Sequence, residues 1–104
     1  MDELFISKRL GRLRTQRQVS ARDMSLSIGQ ANNYITNIEN GKSMPSIQGL
    51  FYICDYLKIS PSEFFDEGNT NPALLNKIME QLKLLDDKCL ESILVLLQAV
   101  NCKK

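Results

Sequence analysis

The 104-residue chain contains no histidine and no tryptophan, and its three cysteines are Cys54, Cys89 and Cys102. An odd number of cysteines without a CxxC pair indicates neither a disulfide framework nor a zinc site. There is no glycine-rich phosphate loop, and the carboxylates are scattered, so the sequence does not predict an enzyme, a metal site or a cofactor. The cysteines are expected to be small hydrophobic residues in a reducing compartment.

Long apolar segments are also missing. The N-terminal residues MDELFISKRL begin with acidic side chains, which is not typical of a signal peptide. The longest nearly apolar stretch, residues 93–100, is too short to span a bilayer. We therefore expect a cytoplasmic protein that does not bind membranes.

The charge is nearly balanced overall, with a net value of +1, but it is unevenly distributed. Residues 1–42 hold seven lysines or arginines against four acidic residues, whereas residues 43–66 hold one against three. Residues 67–104 hold five of each sign. The positive excess in the first segment is weak support for an anionic partner.

Apolar residues recur at helical spacing along nearly the whole chain, and no segment alternates as a strand would. Capping residues divide this pattern. Ser20, Ser60 and Asp86 are each expected to begin a helix, and Gly29 is expected to end one. The sequence therefore predicts an all-α protein with five helices in its first part and two after them.

One polar segment, EGNTNP at residues 67–72, contains glycine and proline and is typical of a linker. It predicts an N-terminal domain at residues 1–67 and a C-terminal pair of helices within residues 68–104. The connection between those last two helices is short, so they are expected to form an antiparallel hairpin.

Two helices of the N-terminal domain carry side chains whose direction the sequence predicts. The inward side of the fourth helix is expected to hold five apolar residues: Ile47, Leu50, Phe51, Cys54 and Leu57. Four of the basic residues in the first part of the chain lie on or just after the first helix: Lys8, Arg9, Arg12 and Arg17. They are expected to form a solvated face, and the alternative is that one of them contacts a phosphate.

The third helix has an unusual composition, because QANNYITNIENGK at residues 30–42 holds four asparagines, which are poor helix formers. On a helical wheel these asparagines share one side, while Ala31, Ile35 and Ile38 share the other and are expected to pack inward. Asparagine amides pair in bidentate fashion with adenine edges in the major groove of DNA. The polar side is thus interpreted as a DNA-reading surface, and the alternative is an ordinary polar surface rich in asparagine.

A family resemblance supports the first interpretation. Residues 19–42, VSARDMSLSIGQANNYITNIENGK, resemble the helix-turn-helix of the phage-repressor family of the lambda and Xre type. The similarity continues through PSIQGLFYICDYLKISPSEFF and so covers about residues 4–66. It implies a five-helix lambda-repressor-like DNA-binding domain whose third helix enters the major groove. The C-terminal two-helix hairpin follows that domain.

The resemblance also implies which residues contact double-stranded DNA. Base reading falls on four residues: Asn32, Asn33, Thr36 and Asn37. Phosphate contacts fall on Asn40, the Gly41 backbone and Lys42. An ion pair between Arg14 and Glu39 is implied to hold the third helix at a fixed angle.

Three residues depart from the family pattern or stand out within it. Ala21 replaces the glutamine that usually contacts phosphate at the start of the second helix, and the neighbouring Arg22 is expected to substitute for it. Ala31 replaces the usual serine or threonine cap of the third helix. Tyr34 is larger than the usual residue, and packing is the favoured interpretation over a contact with the DNA backbone or a thymine methyl group.

The last helix, CLESILVLLQAV, is apolar over much of its circumference, more than a single hairpin can cover. Such a surface is typical of an interface, so we expect a homodimer. The residues expected at the dimer interface are Ile78, Leu82, Leu90, Ile93, Leu94 and Leu97. The alternative is that the hairpin folds back on the first domain.

These observations predict a sequence-specific DNA-binding transcriptional regulator, a repressor that binds a palindromic operator as a homodimer. The alternative is a protein-interaction or antitoxin-like module whose C-terminal helices bind an antagonist or a toxin.

Overall fold

A computed structural model describes residues 4–102, which form seven α-helices and no strand. The helices are α1 (Phe5–Gln16), α2 (Ala21–Ser27), α3 (Tyr34–Glu39), α4 (Ile47–Leu57), α5 (Pro61–Phe64), α6 (Pro72–Leu82) and α7 (Asp87–Asn101). The all-α prediction of five helices followed by two is confirmed. No helix in the described part of the chain is long and apolar enough to cross a membrane.

Four helices begin at residues that cap them with their own side chains. Ser20, Ser46, Ser60 and Asp86 each accept a hydrogen bond from the backbone N–H three residues later, at 2.9–3.1 Å. Each of these residues has an extended backbone, which directs its side chain at the exposed first turn of its helix. These starts were predictable because a cap depends on neighbouring residues alone.

The chain divides into two compact units between Ala73 and Leu74. In the first unit, helices α1 to α5 surround a core whose largest completely buried side chains are Leu10, Met24, Ile35, Ile38, Ile53 and Phe64. Burying each such side chain contributes roughly 1.5–3 kcal/mol. Ile35 and Ile38 therefore hold α3 against the core, as predicted.

Residues 67–72, which the sequence predicts as a linker, are hydrogen-bonded to α1. The side-chain amide of Gln16 donates to the carbonyl of Thr70 at 2.7 Å, and Pro72 is buried. The Arg9 guanidinium donates to the carbonyl of Asn69 at 2.8 Å. This segment is thus part of the first unit in the structure.

Arg9 is buried, with 2% of its surface exposed, so the prediction that it belongs to a solvated or phosphate-binding face is wrong. Besides Asn69, its guanidinium donates to the carbonyls of Phe64, Glu63 and Asp66 at 2.7–3.1 Å. These carbonyls lie at and beyond the end of α5, where a helix lacks internal donors. Burial lowers the pKa of Arg9, Arg12 adds to that effect, and nearby acidic residues oppose it.

Helix α4 is rotated from its predicted orientation. Its buried residues are Gly49, Ile53, Cys54 and Leu57, whereas Ile47 and Phe51 are 75% and 49% exposed. The prediction that Ile47 and Phe51 face inward is therefore wrong. The reason is that the buried side of α4 runs from Gly49 through Ile53 and Leu57 to Cys54, which leaves Ile47 and Phe51 outside it.

The second unit contains most of α6 and all of α7, joined by residues 83–86. No residue of α7 is buried. Leu82, Leu90 and Ile93 are half-buried, while Ile78, Leu94 and Leu97 are about half exposed. The apolar surface of this helix pair is thus largely accessible in the single chain.

Candidate nucleic-acid interface

The turn before α3 is longer than the sequence predicts. Gly29 has a φ of 78°, the left-handed conformation that ends α2, and α3 begins only at Tyr34. Asn32 and Asn33 therefore precede the first helical residue instead of lying within the helix. The Tyr34 N–H donates to the Ala31 carbonyl at 3.0 Å and closes this turn.

Ala31 is exposed, so its predicted inward position is wrong. The prediction assumed that the helix already includes Ala31, and a wheel drawn over residues outside the helix has no meaning. Ile35 and Ile38, which do lie in α3, are both completely buried.

Four polar side chains, which we call the amide surface, lie at the start of α3: Asn32, Asn33, Thr36 and Asn37. The first three are exposed and Asn37 is half-buried. Asn33 is the N-cap residue, so Thr36 and Asn37 lie three and four residues later and share its face. None of the four side chains forms a hydrogen bond within residues 4–102, so their donors and acceptors face solvent.

Ser25 holds the start of α3, a role that the sequence pattern did not predict. Its hydroxyl is completely buried, donates to the Ala21 carbonyl at 2.7 Å and accepts from the Ile35 N–H at 3.0 Å. Helix α3 is therefore capped from α2. The sequence signal for this role was the position of Ser25, next to Met24 on the inward side of α2. A buried hydroxyl requires hydrogen-bond partners, so a serine at such a position is expected to bond to neighbouring groups.

Arg14 and Glu39 join α1 to the end of α3. The Nε and Nη2 atoms of Arg14 donate to the two Glu39 carboxylate oxygens at 2.6 and 2.9 Å, and Nη1 donates to the Val19 carbonyl at 2.9 Å. Hydrogen bonding to Glu39 raises the pKa of Arg14 despite its partial burial. A two-point contact of this kind fixes direction as well as distance.

The predicted phosphate-contacting residues follow α3 directly. Asn40 and Lys42 are exposed, and Gly41 has a φ of 77°. The Gly41 N–H donates to the Ile38 carbonyl at 3.0 Å and the Lys42 N–H to the Asn37 carbonyl at 2.9 Å, which closes the helix. The Gly41 N–H is thus occupied in the structure, and the phosphate contacts remain predictions.

The other basic side chains are spread over α1 and α2. Arg22, the second residue of α2, is exposed, as are Lys8 and Arg12. Arg17 lies over the ring of Tyr56, with 5.2 Å from the guanidinium carbon to the ring centre. Arg17 therefore has an intramolecular partner, while Arg22 remains available at the start of its helix.

Tyr34 packs between α3 and α4. It is half-buried against the core, and burial raises the pKa of its hydroxyl. A side chain on Gly49 would collide with that hydroxyl. The packing interpretation of Tyr34 therefore agrees with its position.

A family model described as a helix-turn-helix domain matches residues 7–91, which is most of the chain. No curated protein and no solved structure matches the chain.

Proposed function

This chain belongs to the helix-turn-helix family of the Xre/lambda-repressor type, which indicates a DNA-binding regulator, and we propose that it is a sequence-specific repressor. It would act as a homodimer on a palindromic operator. The observation that carries this proposal is the amide surface, whose side chains are presented to solvent without internal hydrogen bonds. No catalytic role is proposed for the protein.

The amide surface is chemically suited to reading bases. An asparagine amide offers one donor and one acceptor in a plane, which matches the N6 and N7 atoms of adenine in the major groove. Asn33 and Asn37 lie one helical turn apart, so they would meet neighbouring base pairs. Thr36, between them, offers a hydroxyl and a methyl group, and a methyl group contacts thymine favourably.

Phosphate contacts would set the register of the protein on DNA. Lys42 lies three residues after the end of α3, and Arg22 lies at the start of α2, so the two charges flank the helix-turn-helix. Contacts of this kind position the protein but carry no sequence information. They make affinity strongly dependent on salt.

The homodimer is supported by the C-terminal helices. Eleven large hydrophobic residues between Leu74 and Val100 are 37–79% exposed. Soluble monomers rarely expose a continuous apolar patch beyond a few hundred Å². A second copy of the same helix pair would cover this surface, and it would bring two helix-turn-helix units to one palindrome.

The same exposed helices also suit the competing hypothesis, in which they bind an antagonist or a toxin. The chain alone would then be a monomer, and it would bind a partner of different sequence. A measured oligomeric state separates the two hypotheses.

Selection from random-sequence DNA, followed by binding at several salt concentrations, tests the proposal. We expect a palindrome and a steep loss of affinity with salt. Asn33→Ala should cost about 1–3 kcal/mol at one base position, whereas Lys42→Ala should weaken all sequences alike and reduce the salt slope by about one. If both variants weaken all sequences alike, the assignment of base readers is wrong.

A further inference from the structure

Helix α3 differs from the other capped helices in the source of its cap. In α2, α4, α5 and α7 the N-cap side chain accepts a hydrogen bond from its own helix. In α3 the N-cap residue, Asn33, makes no such bond. Asparagine is among the strongest N-cap residues, so an unused asparagine at this position requires an explanation.

The explanation lies in the backbone and in Ser25. Asn33 has φ −103° and ψ 8°, whereas the four self-capping residues have ψ between 156° and 172°. The extended conformation directs a cap side chain at the first turn, and Asn33 does not adopt it. Instead, the hydroxyl of Ser25 accepts from the Ile35 N–H at 3.0 Å. That N–H is a donor an N-cap side chain would otherwise satisfy.

We propose that Ser25 is a positioning residue that caps α3 from α2 and thereby leaves the amide of Asn33 free to read a base. The hydroxyl also donates to the Ala21 carbonyl at 2.7 Å, so its acceptor lone pairs are directed by α2. This inference rests on the proposed DNA-binding function for its biological meaning. The exchange of caps, in which Ser25 takes the capping role of Asn33, is a property of the fold. It can be measured without DNA.

Removal of the Ser25 hydroxyl should change what Asn33 does. In Ser25→Ala, the Ile35 N–H loses its acceptor, and an unsatisfied buried donor is costly. Asn33 can satisfy it by moving to the extended cap conformation. Its amide oxygen is then directed at the helix, and the side chain no longer reads DNA.

Thermal unfolding of single and double variants tests the exchange. Asn33→Ala alone should change Tm little, because the wild-type side chain caps nothing. In the Ser25→Ala background the same substitution should lower Tm by about 4–8 °C, which is the effect of removing a cap from a domain of this size. If Ser25→Ala does not fold, Ser25→Cys retains the approximate volume with a weaker acceptor and replaces it.

Ser7 provides the matched control. It is also buried, and its hydroxyl donates at 2.7 Å to the carbonyl of Ile38, the last residue but one of α3. In the Ser7→Ala background, Asn33→Ala should again change Tm little. An equal Tm effect of Asn33→Ala in all three backgrounds would overturn the proposal.

A DNA measurement gives a second, independent outcome. The wild type should discriminate about 5- to 150-fold at the base pair read by Asn33. Ser25→Ala should lose that discrimination at this base pair alone, and Ser7→Ala should keep it. If the wild type discriminates no base pair, the proposed function fails, while the Tm comparison still decides the role of Ser25.

Discussion

Tyr34 and Gly49 form a steric pair that connects α3 to α4. Glycine inside a helix usually costs up to about 1 kcal/mol relative to alanine, so its presence at position 49 requires a packing reason. The Tyr34 hydroxyl occupies the space that a Cβ at position 49 would need. The size of Tyr34 and the absence of a side chain at Gly49 therefore explain each other.

Gly49→Ala should destabilise the protein by about 1 kcal/mol, because a clash of about 1–3 kcal/mol outweighs the gain in helix propensity. In a Tyr34→Phe background, which lacks the hydroxyl, the same substitution should be neutral or stabilising. Urea unfolding of the four proteins measures both effects. Equal destabilisation in both backgrounds would show that another neighbour limits the space, such as Ser46, whose hydroxyl oxygen lies 3.2 Å from the point where a Cβ on residue 49 would stand.

Cys54 is the one buried cysteine in the described part of the chain, and burial, with a smaller effect of Asp55, raises its pKa to about 11. The unfolded thiol ionises near pH 8.5 to 9. Between these values the unfolded chain releases a proton that the folded chain retains. The stability contributed by the neutral thiol is therefore fully present below about pH 8.5 and decreases as pH rises.

We expect this effect to reduce the free energy of unfolding by about 1–2 kcal/mol between pH 8 and pH 10.5. Urea unfolding of the reduced protein at several pH values measures it. Cys54→Ala is the control, since it lacks this thiol and retains every other ionisable group of the chain. If the two proteins lose stability equally with pH, the thiol of Cys54 does not contribute.

At the scale of helices, the Arg14–Glu39 pair connects α1 to the end of α3. Glu39→Gln should cost about 1–3 kcal/mol of stability, because it leaves a charged donor without its counterion in a partly buried place. Replacing both residues by methionine should restore much of that stability. DNA affinity should remain lower in the double variant if the pair sets the angle of α3. Full recovery of affinity along with stability would limit the pair to a structural role.

The helix boundaries show which features a sequence reveals. Ser20, Ser60 and Asp86 were predictable as helix starts because each acts on residues three positions away. The start of α3 depends instead on Ser25, ten residues from its partner Ile35, and the environment of Arg9 depends on carbonyls 54–60 residues away. Neither contact produces a periodic signal in the sequence.

Helical periodicity had a similar limit. It correctly identified Ile35, Ile38, Cys54 and Leu57 as buried. It misplaced Ile47 and Phe51, because the predicted inward side of α4 was centred near Cys54 and left out Gly49 and Ile53, which extend the buried side in the other direction. For the candidate site, composition indicated the asparagines of the amide surface, but their position before or within α3 required the fold.

At the scale of the whole molecule, the two compact units have different surfaces. The first unit buries a continuous core, whereas in the second no residue of α7 is buried. A helix with such an accessible apolar surface gains most of its stability from packing against a partner. Association of two chains would therefore contribute to the stability of these helices as well as to DNA binding.

The dimer proposal predicts that the 104-residue chain sediments at twice its mass of 11.8 kDa. Leu94→Glu with Leu97→Glu should give a monomer, because two charges cannot be buried without partners at an apolar interface. Leu26→Glu is the matched control, since Leu26 is 51% exposed, close to the 54% and 49% of Leu94 and Leu97, but lies on α2. The monomeric variant should bind a palindrome no better than an isolated half-site, while Leu26→Glu should remain a dimer.

A dimer that persists in the double variant would place the interface elsewhere, and exposed Ile47 and Phe51 of α4 would be the next residues to substitute. A wild-type chain that is monomeric would instead favour a partner of different sequence.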